Sequence, residues 1–284
     1  MARTARSVWA ILVSALMLLA ACEDVTRQFD PLSVSGREGA TPLTYEAVMR
    51  VATAAHAGGD LGNAVGLYRR AAVLQPLVAA PFVAAGNTLM EMGQVDEAMI
   101  AYRSALDRQP RDPEALRGLA KAYLKTSRPE LAGGPLQIAY EDSPNDPKLL
   151  QLVGVTDDLL GQHREAQARY RRGLELAPAD RGLRVNLALS LGLTGNYEEA
   201  ISLLGPLATG PGSTPRERQT LALIYGLKGD RAAAERLGKL DVEQSAVVTN
   251  LEYYERLKRS SAEARTELVR SLVGSSSAPT EVKP

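Results

Sequence analysis

The sequence is poor in the side chains that most enzymes and metal sites are built from. Its 284 residues include one cysteine, two histidines, one tryptophan and two phenylalanines, and aromatics make up 5% of the chain. A single cysteine leaves no internal disulfide framework, so the fold must stand without one even in an oxidising compartment. His56 and His163 lie more than a hundred positions apart. No HExxH or CxxC spacing offers a metal site, and GxSxG, GxxxxGK[ST] and GxGxxG are all missing. The adjacent acids Asp157 and Asp158 point about 100° apart on a helix, a poor geometry for paired acid–base work, and read as a solvated edge. These absences argue against an enzyme, a cofactor, a metal or a small-molecule substrate. Formal charge is balanced at 33 basic and 33 acidic side chains, so nucleic acid is not an expected partner.

The one cysteine stands in a telling place. Arg3 and Arg6 precede an apolar stretch from Val8 to Ala21, the layout of a secretory signal. That stretch falls short of the roughly 20 residues that cross a bilayer core. Leu19-Ala20-Ala21-Cys22 resembles the bacterial lipobox, which implies cleavage before Cys22 and acyl chains of the palmitate kind on it. Removing residues 1–21 takes away two arginines and leaves 31 basic against 33 acidic groups. Glu23, rather than Asp, follows Cys22, which favours the outer membrane over the inner one for the anchored protein. Each buried CH₂ contributes roughly 0.8 kcal/mol, and stable anchoring takes more than one chain. Residues 22–44, polar with Gly and Pro, read as a tether.

What the chain does have is a period. Stepping by 34 from Ala64 gives Ala98, Ala132, Ala166, Ala200 and Ala234. Five residues before each stand Gly59, Gly93, Ser127, Gly161, Gly195 and Gly229. Four residues after come Tyr68, Tyr102, Leu136, Tyr170, Leu204 and Gly238. Pro76, Pro110, Pro144 and Pro178 recur twelve places beyond the Ala, and Ala52, Gly86, Ala120, Gly154, Ala188 and Ala222 twelve before it. Six units without an insertion occupy residues 45–248. The small positions let helices approach closely, the Gly permits a left-handed turn, and the Pro stops the second helix. This pattern resembles the tetratricopeptide repeat (TPR), which implies an all-α, right-handed solenoid of helix hairpins.

Local signals agree with that register. Asp112-Pro113, Asp146-Pro147 and Thr214-Pro215 pair a capping side chain with Pro at the first helical place. Thr214 with Glu217, Ser127 with Glu130 and Asn196 with Glu199 read as capping boxes. A last helix, whose apolar pattern starts near Glu243 and whose body is residues 249–273, is expected to cap the stack, and residues 274–284 read as a disordered tail. Gly133, Gly134 and Pro135 predict a kinked or short second helix in unit three, and "ATGPGSTP" predicts a loose link after unit five.

The resemblance to the TPR implies a partner surface in the concave groove lined by the first helices, and helix spacing picks out the residues on that side. Arg117, Lys121 and Lys125 share a face, with Asn87 and Glu91 nearby. Some TPR proteins hold a peptide carboxylate with a Lys/Asn/Arg clamp, which this cluster partly resembles. Further along, Val155 and Leu159, then Val185, Leu189 and Leu193, then Leu223 and Leu227 form an apolar strip, open to a partner or to the terminal helix folded back. Residues 218–258, "RQTLALIYGLKGDRAAAERLGKLDVEQSAVVTNLEYYERLK", resemble the end of the TPR lipoprotein of the Flp/Tad pilus assembly system, the TadD type. That resemblance implies an outer-membrane lipoprotein facing the periplasm that helps the secretin, or another Tad component, to assemble or localise. The alternative is a general periplasmic TPR adaptor for another envelope assembly, such as outer-membrane protein insertion or polysaccharide export.

Overall fold

The computed structural model describes residues 44–261 together with 264 and 265. The expectations for the signal, Cys22, the tether and the C-terminal tail lie outside these residues. Within them are thirteen α-helices and no strand, and the fold is a tandem TPR solenoid. The six hairpins are α1 (Tyr45–Ala57) with α2 (Leu61–Leu74), α3 (Ala80–Glu91) with α4 (Val95–Leu106), and α5 (Pro113–Lys125) with α6 (Pro129–Asp142). They continue as α7 (Pro147–Leu159) with α8 (His163–Leu176), α9 (Arg181–Leu193) with α10 (Tyr197–Thr209), and α11 (Pro215–Lys228) with α12 (Arg231–Gly238). Helix α13 (Gln244–Arg259) follows and packs on α11 and α12.

The repeat positions do what their chemistry suggests. The residue five places before each recurring Ala has positive φ in every unit, from 55° at Ser127 to 98° at Gly229. All six alanines of the second helices are buried. Tyr102 shows why the first helices need small residues. A Cβ on Gly86 would sit 2.7 Å from its ring, and one on Gly118 of the next unit would come closer still. Tyr170 presses on Gly154 in the same way. Burying a large ring against bare backbone removes apolar area from water and locks successive hairpins.

The capping expectations divide. Asp112 accepts from the Ala115 amide at 2.8 Å, and Asp146 from the Lys148 amide at 2.9 Å. Thr214 and Glu217 form a full capping box. Ser127 does not cap: it takes the left-handed turn that the other units give to glycine, and its buried hydroxyl has no partner. Asn196 makes no side-chain cap either; its amide turns back to Thr194 at 3.2 Å.

Of the two elements expected to be weak, the second helix of unit three is not shortened. Helix α6 runs unbroken through Gly133, Gly134 and Pro135. The two glycines are exposed and meet no neighbour, so they cost helix propensity without disturbing the core. After unit five, Gly210 is extended and Gly212 has φ 70°, so α10 ends at Thr209 and a short link leads to the Thr214 cap. The last helix starts at Gln244 rather than at 249, because α12 spans only eight residues and ends at Gly238.

Candidate functional site

The first-helix face contains an open pocket of 380 Å³ where units two and three meet. Its lining includes Asn87, Met90, Glu91, Tyr102, Glu114, Arg117 and Lys121. Four of the residues expected there from sequence, Asn87, Glu91, Arg117 and Lys121, are thus brought together, while Lys125 is not among the lining. Their electrostatic states differ. Arg117 is half-buried and donates to Asp146 at 2.9 Å, so its charge is spent on the neighbouring helix cap. Asn87 accepts from the Tyr102 hydroxyl at 2.8 Å, which leaves its amide N–H groups as the free donors. Lys121 and Lys125 are exposed and have no ion-pair partner among the described residues. Glu91 reaches His56 at 3.1 Å across from unit one. The pocket walls therefore carry one free cation, Lys121, an amide and two carboxylates, Glu91 and Glu114, rather than a purely cationic clamp, and Lys125 lies outside the lining.

The apolar strip is less open than the spacing suggests. Leu159, Val185, Leu193 and Leu227 are buried at 6%, 3%, 4% and 1% exposure and belong to the core. Val155, Leu189 and Leu223 are partly buried. The terminal helix accounts for the coverage at the far end. Leu257 of α13, fully buried, packs with Leu193 and Leu227, while Leu189, Leu223 and Tyr253 line the edge of that cluster. Arg265 reinforces this position by donating to the Leu193 carbonyl at 3.2 Å and to the Leu257 carbonyl at 2.9 Å. Of the two occupants the sequence allowed, the chain's own last helix is seated on the strip.

The acidic pair is the larger surprise. Asp157 and Asp158 are not a solvated edge: their side chains are 16% and 17% exposed. Asp158 accepts from the Tyr170 hydroxyl at 2.9 Å and the Ser190 hydroxyl at 2.7 Å, and pairs with His163 Nδ1 at 2.8 Å. His163 is the first residue of α8. Asp157 lacks such donors; Arg169 lies 4.0 Å away, and burial pushes its carboxyl up to about 6. The signal for this network was present in the repeat: Ser190 stands where units three and six have Ala122 and Ile224. No group of three or more metal-ligating side chains exists among the described residues, and none of their helices is long and apolar enough to cross a membrane.

Comparison with known proteins agrees with the geometry. The family profile described as tetratricopeptide repeat matches residues 83–147 and 160–210. Among curated proteins, cellulose synthase 1 operon protein C of Komagataeibacter xylinus is 27% identical over 60% of this chain and 13% of its own length. The uncharacterised protein y4yS of Sinorhizobium fredii is 33% identical over 35% of this chain and 54% of its own. The chain thus spans from about an eighth to about half of these relatives. Among solved structures, PilW, a type IV pilus biogenesis factor, superposes with TM-score 0.62 at 18% identity, covering 70% of this chain and 91% of PilW. PilF of Pseudomonas aeruginosa gives 0.57 at 18% identity over 79% and 96% of the two chains. At these identities the likeness is one of fold.

Proposed function

We propose that this chain is a non-catalytic, membrane-tethered scaffold whose first-helix face holds a segment of a partner protein. The observation that carries the reading is the open pocket beside Asn87 and Lys121, set in a solenoid whose opposite end is closed by its own last helix. In this reading Cys22 carries the lipid and holds the protein at the periplasmic face of the outer membrane. The partner is the secretin of a Flp/Tad pilus system or a neighbouring assembly protein. Tethering raises the effective concentration of the two partners without new contacts. The fold likeness to PilW and PilF supports a pilus role. A second reading, an adaptor for polysaccharide export, draws its support from the cellulose synthase operon relatives.

The test combines anchoring and capture. Cys22→Ser should move the protein from the membrane fraction to the soluble periplasm and lower secretin multimers at the outer membrane. Lys121→Glu with Lys125→Glu should weaken binding of the purified secretin without lowering the melting temperature. Secretin multimers unchanged in a deletion strain would overturn the pilus role. Loss of cellulose or another exported polysaccharide in that strain would favour the adaptor instead.

A further inference from the structure

Successive second helices stand apart with a groove between them, which the repeat fills differently from one junction to the next. Between units three and four the filling pair is Tyr140 and Arg169: the guanidinium lies 4.7 Å over the ring and donates to its hydroxyl at 2.9 Å. The matching positions between units four and five are Leu174 and Leu203. Between units one and two they are Ala72 and Ala101. The floor is cut back as well. Where Leu119, Leu187 and Leu221 lie buried in later units, unit two has Ala85. Three alanines at once leave a trough of 520 Å³, in the range of ligand pockets.

The walls of the trough are apolar, and its charges are already committed. Arg69 spans the mouth to Glu97 at 2.8 Å. Arg108 stacks 4.0 Å over Phe82 and gives its N–H groups to the Pro76 and Ser104 carbonyls. An entering group therefore meets no unpaired charge at the rim cations, which disfavours a charged chain end or an anionic lipid headgroup. Val73, Leu77 and Ile100 extend the apolar surface beyond the mouth, at 75%, 87% and 63% exposure. The flanking ridges come from two helices, with Arg69 and Val73 on one side, extended by Pro76 of the following turn, and Glu97, Ile100 and Ser104 on the other. Their steps of three and four residues match the side-chain spacing of a third helix.

We infer that this trough is a second docking site, on the face opposite in role to the Asn87 pocket, for a short amphipathic helix of a partner protein. The occupant presents uncharged aliphatic side chains at i and i+3 or i+4, which take the places left vacant by Ala72, Ala85 and Ala101. The site shares no lining residue with the first-helix pocket and stands whether or not that pocket binds a secretin.

The experiment places the photocrosslinking residue p-benzoylphenylalanine at Val73 or Ile100 of the full-length protein in its own cells and sequences the crosslinked segment. The expected result is a segment of another protein with apolar residues at helical spacing. Ala72→Leu with Ala101→Leu, the pair found between units four and five, should abolish that crosslink while the melting temperature stays level or rises. Ile100→Glu in the strain carrying the crosslinker at Val73 changes only the exposed rim and should abolish it too, which guards against a misfolded double variant. Crosslinks to a second copy of this chain, to phospholipid alone or to nothing would overturn the proposal, as would a crosslink that survives both changes.

Discussion

Ser127 and Asp157 are single side chains whose surroundings work against them. Ser127 takes the left-handed turn at φ 55° and buries a hydroxyl that bonds to nothing. A side chain in that conformation costs about 1–2 kcal/mol relative to glycine, and an unsatisfied buried hydroxyl adds to it. Glycine gives back part of the gain through its freer unfolded chain. Ser127→Gly should therefore stabilise by about 1 kcal/mol, read as a melting temperature about 2–4 °C higher; an unchanged or lower value would remove the strain argument. Asp157 is a matter of charge. Burial raises its carboxyl from 3.8 to about 6. An acid whose folded pKa exceeds its unfolded value is favoured protonated by the fold, so it costs stability as pH rises through that interval and the full cost is present above it. Asp157→Asn should stabilise the protein at pH 7 by about 1–3 kcal/mol and flatten the melting temperature between about pH 4 and 6. Thermal scans of both proteins across that range check it, and a variant less stable at neutral pH would refute the assignment.

Elements are joined by ion pairs as well as by small-to-large packing. Arg181 opens α9 and grips Glu217 of α11 through two bonds, at 2.7 and 2.6 Å, while Glu217 also caps α11 through the Thr214 amide at 2.8 Å. The Arg181 hydrogen bonds hold the Glu217 carboxyl down at about 2. Here the sign is reversed: the contribution is present above pH 4.5 and is lost as pH falls toward 2. Glu217→Gln should cost about 1–2 kcal/mol at pH 7, less than a fully buried pair because Arg181 is half exposed, and the cost should shrink in acid. The helices and their register could be read from the 34-residue step because close packing allows only Ala or Gly where Tyr102 and Tyr170 press. The Thr214–Glu217 box could be read for the same local reason. Ser127 misled because a capping box and a glycine-like turn differ only in backbone angles, and Asn196 because its side chain bonds back to Thr194 instead of capping. The open pocket was partly legible, since i, i+4 spacing puts Arg117 and Lys121 on one face. Burial of Leu193 and Leu227 was not, because it depends on Leu257 arriving from thirty or more residues away.

At the scale of the whole solenoid the apolar core is not continuous. The two large clusters run from Val65 to Leu159 and from Ala166 to Tyr254, with Val155 touching both, and smaller ones lie around Ala52 and around Leu193. Between them, inside unit four, lies the polar seam of Asp157, Asp158, His163 and Tyr170. Hydrogen-bonded polar groups hold their geometry but contribute less than apolar burial to joining the two sides. In a repeat protein stability is close to a sum of units and nearest-neighbour interfaces, so a weak interface separates blocks that open independently. Leu116 is 2% exposed in the first cluster, and Leu116→Ala should cost about 3 kcal/mol through lost burial and the cavity left behind. Native-state hydrogen exchange should show that loss in α3 to α6, while the amides of α10 and α11 keep their protection. Leu191→Ala, cut from the second cluster, should give the mirror result. If either substitution lowers protection evenly along the chain, unit four transmits stability as well as any other junction and the two-block description fails.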